Sequence, residues 1–158
     1  MRDAVLAFMR NYGFFAAVCA WLVAQVCKFL IDAAINRRFS LARLFGDGGM
    51  PSGHSATVMA LATVVGYTAG WDSAIFAVSL VFAIVVMHDA TGVRRETGKH
   101  ALDIIQLFEA INDILGEKDQ ITKREKLKVF VGHSPVQVFF GALLGILVGI
   151  LYIVILGL

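Results

Sequence analysis

From Ser134 to Leu158 the chain carries no charged side chain. A run of that length can cross the hydrocarbon of a bilayer as a helix. In lipid, only a helix or a closed barrel satisfies every backbone polar group internally. The rest of the chain points the same way. Hydrophobic residues make up 58 % and charged residues 16 %, against about 25 % charged in a soluble domain. The mean hydropathy is +0.76. A net charge of +2 is too small to argue for nucleic acid as a partner. Cys19 and Cys27 lie inside an apolar run and read as packed thiols, with neither disulfide nor metal spacing.

Three further apolar runs precede this last one. Asn11 to Cys27 is uncharged and continues helically past Lys28 and Asp32, which predicts a span over about 12–36. Lys28 in its last turns is open to two readings, an ammonium reaching the interface or a site residue. The second run, 54–70, is short and rich in small residues (Ala56, Ala60, Ala62, Thr63, Gly66), which suits packing against neighbours better than facing lipid. The third, 73–91, ends in His88-Asp89. A carboxylate at the end of a membrane helix is costly enough to suggest a function. In the final span, 134–157, Gly141, Gly145 and Gly149 recur every four residues and make one smooth face, for a contact within the monomer or between subunits.

Between 97 and 115 the pattern changes. Ala101, Ile104, Phe108, Ile111 and Leu115 recur at helical spacing against Asp103, Glu109 and Asp113, predicting an amphipathic helix at the interface. A charged connector, 116–130, follows. The expected fold is therefore all-α: one membrane bundle of about four transmembrane helices plus one amphipathic helix. With alternating spans, the arginines and lysines between 37 and 43, 94 and 99, and 118 and 128 share one side, and only Arg2 and Arg10 lie on the other. The positive-inside rule makes the crowded side cytoplasmic.

That topology collects three polar clusters on one face, at 48–55, 88–99 and 131–137, each at the mouth of a membrane helix. The first, Gly-Gly-Met-Pro-Ser-Gly-His-Ser, is a glycine-rich turn leading into a helix whose free amides suit an anion. Ser52 and Ser55 can cap that helix. Together the clusters offer two histidines, two adjacent arginines, a serine, glycine amides and a carboxylate. Arginine pairs and helix-start amides match the geometry of phosphate, one histidine can attack phosphorus, and a second can protonate the leaving oxygen. No group of hard oxygen ligands points to an obligatory metal, and no cofactor is expected.

Pro-Ser-Gly-His at 51–54 resembles the second signature of the type 2 phosphatidic acid phosphatases, which share their site with vanadium haloperoxidases. Asp-Ala-Thr-Gly-Val-Arg-Arg at 89–95 and Gly-His-Ser-Pro-Val-Gln-Val-Phe-Phe-Gly at 132–141 resemble a small divergent branch of that superfamily. The resemblance covers roughly 25–150. It implies His133 as the nucleophile forming a phosphohistidine and His54 as the general acid. It also implies Ser52, the Gly53 amide and Arg94 or Arg95 as holders of the phosphate oxygens, with Lys28 and Arg37 or Arg38 in place of the first basic signature.

The sequence departs from the superfamily pattern at several points. Lys28 and Arg37 are nine apart with no proline following, and position 127, where an arginine is usual, is Leu127. Gln137 stands where an aspartate usually orients the nucleophile; it can accept from the imidazole but cannot balance an imidazolium, a charge Asp89 would have to supply. Four spans against the usual six leave room for a homodimer. The expected function is hydrolysis of a membrane lipid phosphate or diphosphate at the cytoplasmic face. The alternative is a non-catalytic lipid-phosphate-binding carrier or scaffold.

Overall fold

The computed structural model describes residues 1–37, 49–115 and 133–158, and within 93–115 it leaves out a few side chains, among them Arg94 and Arg95. Arg38 and the connector 116–130 lie outside the described residues. All regular structure among those described is helical: α1 (Arg2–Met9), α2 (Tyr12–Asn36), α3 (Gly53–Ala69), α4 (Ala74–Thr91), α5 (Val93–Leu115) and α6 (Pro135–Leu156). Four of the six start at an N-cap whose side chain accepts a backbone N–H three residues on: Asn11, Ser52, Ser73 and Ser134.

Among the described residues, three helices are long and apolar enough to cross a membrane: α2, α4 running on into α5, and α6. The sequence expectation is about four spans; α3 is not among these three and differs in kind. Its 17 residues span about 26 Å, and it is wrapped by the other three. Gly13 of α2 packs on Leu61 and Val65 of α3, whereas Lys28 of α2 packs beside Gly53, so α2 and α3 run antiparallel. Gly141, Gly145 and Gly149 of α6 meet Ser52, Ala56 and Thr63 in turn, so α3 and α6 run parallel. The core is correspondingly small-chained: Ala20, Ala24, Ala56 and Ala60 form one cluster, and Ala16, Val64 and Ile153 another.

The outward faces invert the pattern of a soluble protein. On α4 the buried residues are Ser79, Ala83 and Ala90, while Val78, Val81, Phe82, Ile84 and Val85 are exposed, as a lipid-facing helix requires. Hydroxyls inside α3 are satisfied by its own backbone. Thr57, Thr63 and Thr68 donate to the carbonyls of Gly53, Met59 and Val64 at 2.7–2.8 Å. The amphipathic helix expected from 97 begins at Val93, after a break at Gly92 that separates it from α4.

The glycine stripe, which sequence left open between a subunit contact and an internal one, faces α3. A Cβ on Gly145 would collide with the Ala56 carbonyl oxygen and lie 2.9 Å from Met59 Cβ. Gly145→Ala is therefore expected to cost about 1–3 kcal/mol, as overpacking does, and to lower the thermal unfolding midpoint in detergent. Leu147→Ala on the exposed side of the same helix should leave that midpoint nearly unmoved.

Candidate active site

The mouth of the bundle is built around the starts of α3 and α6. Before α3 the chain turns through Gly49 at φ +97°, a conformation that favours glycine, and the Met50–Pro51 peptide is cis. Ser52 follows in extended conformation, fully buried, its Oγ accepting from the Ser55 amide at 3.4 Å and from the Ser55 hydroxyl at 3.0 Å. The hydroxyl that the family resemblance assigns to phosphate caps the helix here, as the sequence also allowed, and lies against Gly141. The Ser52 amide donates to the Gln137 carbonyl at 3.0 Å, which fixes the head of α3 to the first turn of α6. Gly53, the first residue of α3, has an amide without an intrahelical acceptor and stands at the positive end of the helix dipole.

At α6 the cap also sets the chemistry of the histidine. Gln137 and Ser134 form a reciprocal capping box: the Ser134 amide donates to Gln137 Oε1 at 3.1 Å, and the Gln137 amide to Ser134 Oγ at 3.3 Å. Because a backbone N–H can only donate, its partner on Gln137 must be the amide oxygen. The same oxygen lies 3.1 Å from His133 Nδ1. An oxygen acceptor requires a proton on Nδ1, so in the neutral ring the lone pair sits on Nε2. His133 is buried, and its own amide donates to the carbonyl of Ala90, next to Asp89 at the end of α4, at 3.1 Å.

Across from it stands His54, half-buried on the first turn of α3. The two imidazoles meet edge to face with centroids 6.0 Å apart, close enough to act on one small group from two sides. From α2 comes Lys28, which is 6 % exposed and so lies inside the bundle; it does not reach out to the interface. Its Nζ is 3.5 Å from where a Cβ on Gly53 would be, and the Trp21 ring touches the same point. An ammonium beside the positive end of a helix favours an anion between them. Gln25, one turn from both Trp21 and Lys28, is buried on the same side of α2; the sequence reading did not single it out.

The family described as the divergent PAP2 family matches residues 9–148. The chain belongs to that family. A curated relative, the uncharacterized membrane protein YuiD of Bacillus subtilis (strain 168), is 41 % identical over 148 residues, covering 90 % of this chain and 94 % of that protein. No solved structure matches the chain.

In this member of the divergent PAP2 family, His54, His133, Gln137, Gly53 and Lys28 converge on one mouth, with Asp89 half-buried beside the Ala90 carbonyl that holds His133. Arg37 does not join them through any described contact. It ends α2 in a left-handed conformation, exposed, about 13 Å along the axis from Lys28. Arg94 and Arg95 occupy the first turn of α5, but their side chains, like Arg38, lie outside what is described. His88 and His100 are exposed and take no part in the mouth.

The Gln137 geometry has a direct spectroscopic consequence. Nitrogen NMR of the imidazoles should show neutral His133 as the Nδ1–H tautomer, and Gln137→Ala should convert it to a mixture. The same change removes half of the capping box and should cost about 1 kcal/mol of stability.

Proposed function

We propose that the protein is an integral membrane phosphatase acting on a lipid phosphate or diphosphate through a phosphohistidine at the cytoplasmic face. The observation that carries this reading is the pairing of His54 and His133, 6.0 Å apart at the heads of two parallel helices, with Lys28 and the start of α3 beside them. His133 Nε2 attacks phosphorus in line as the ester or anhydride bond breaks, and His54 gives its proton to the leaving oxygen. Water then displaces His133 from phosphorus, with His54 taking the water's proton, and inorganic phosphate leaves. The Gly53 amide and Lys28 neutralise charge on the phosphoryl oxygens, with Arg94 or Arg95 as a further cation. A lipid substrate follows from the site's place at the mouth of apolar helices, and the cytoplasmic side from the distribution of arginine and lysine.

A second reading, a binding protein that carries or scaffolds lipid phosphates without turnover, draws on Gln137. Its neutral amide orients His133 but leaves an imidazolium or phosphohistidine without a partner charge there.

Phosphate release by purified protein over a panel of lipid phosphates separates the two. On the phosphatase reading, His133→Ala and His54→Ala each lower turnover by about 10²–10⁴-fold. Labelled phosphate is trapped on wild type and never on His133→Ala. Lys28→Met raises KM and lowers kcat. Binding without release in wild type, unchanged by His133→Ala, would establish the carrier reading.

A further inference from the structure

Gln25 carries a polar atom that the fold leaves unsatisfied. The residue is 5 % exposed, and its Oε1 is buried with no hydrogen-bond partner among the described residues. Buried acceptors are nearly always paired, and one left without a donor is destabilising, so its presence asks for an explanation. Its position narrows the choice. Trp21, Gln25 and Lys28 follow at spacings of four and three, which places them in one sector of α2. Trp21 and Lys28 both touch the same point above Gly53. Along α2, Gln25 therefore stands between the two residues whose side chains meet the start of α3, beside the candidate site.

We infer that Gln25 Oε1 is a specificity determinant that accepts a hydrogen bond from a hydroxyl of the bound lipid phosphate. The inference rests on the proposed site and deepens it by naming a substrate class. A fully ionised phosphate has no proton to give to an acceptor, and Lys28 with the Gly53 amide already supplies donors to its oxygens. The donor that matches an amide oxygen one helical turn along is an alcohol on the carbon next to the phosphate-bearing one. Gln25 thus favours phosphates of lipids that keep a free hydroxyl there over those in which it is esterified or absent. A site that holds a hydroxyl by a buried acceptor discriminates against the analogue that leaves the acceptor unpaired.

The test compares 1-oleoyl-glycerol 3-phosphate with its 2-deoxy analogue, which differs by that one hydroxyl. Two readouts are taken in detergent: kcat/KM for the wild-type background, and equilibrium binding to a His133→Ala background, where turnover is not needed. Wild-type Gln25 is expected to favour the hydroxylated lipid by about tenfold, the size of one net hydrogen bond. Gln25→Met, close in shape but without the oxygen, brings the ratio to about one; Gln25→Glu, which keeps an acceptor, retains the preference. Gln25→Asn, whose oxygen is withdrawn by one methylene, carries the same expectation as Gln25→Met should that protein not fold. A wild type without preference overturns the inference, as does Gln25→Met that weakens both lipids alike and keeps the ratio. A binding preference without turnover would sink the phosphatase reading and leave the role of Gln25 standing.

Discussion

Backbone contact between α3 and α6 governs the rest of the molecule. At Gly141, Gly145 and Gly149 no side chain stands between α6 and Ser52, Ala56 and Thr63, so at these points the two helices approach more closely than any Cβ would allow. Lipid offers little hydrophobic drive for helices to associate, and van der Waals contact of this kind takes its place. The consequence reaches the mouth of the bundle. Parallel helices locked at three successive levels must end in register, and the hydrogen bond from the Ser52 amide to the Gln137 carbonyl closes the register at the top. His54 and His133 face each other because the helices beneath them cannot slide.

Position 137 shows how one side chain can serve stability and chemistry together. Its oxygen receives the Ser134 amide as a helix cap and the His133 ring as an orienting partner. A carboxylate there would do both and add a negative charge. The amide does both without it, which keeps the first turn of α6 neutral and leaves charge compensation at the mouth to groups on other helices. Asp89 immediately precedes Ala90, whose carbonyl holds the His133 backbone, and Lys28 with the dipole of α3 supplies the opposite sign. The electrostatics of the mouth are thus assembled from three helices, α2, α3 and α4, whereas its geometry is set by α3 and α6.

Much of this was legible in sequence because the bilayer makes simple demands. Uncharged runs located α2, α3, α4 and α6, with serine caps read only for α3, and the alternation of apolar and charged residues located α5 to within a few residues. His54, His133, Gln137, Gly53 and Lys28 were named from motif and spacing, and they do converge. Other features needed three dimensions. The glycine stripe announces a close contact but not its partner, since any smooth helix would fit it. Ser52 satisfies the sequence rules for a cap and for a phosphate ligand equally well, and three dimensions show the cap. Gln25 hides in an apolar run; the signal was there, a polar residue three before Lys28 on the same helical face, but spacing alone does not reveal an unsatisfied atom. The short helix α1 is too brief to leave a clear periodicity.

The wrapped position of α3 also bears on how such a chain enters a membrane. Most of its surface is small, hydroxylated or glycine, and it becomes covered only when α2 lies on one side and α6 on the other. During synthesis α2 and α4 are available before α6, which follows them in the chain. Until those residues emerge, α3 has one face without a partner and a polar turn without its anchor at Gln137. The half of the site carried by α3 is therefore complete only once α6 is made and packed against it.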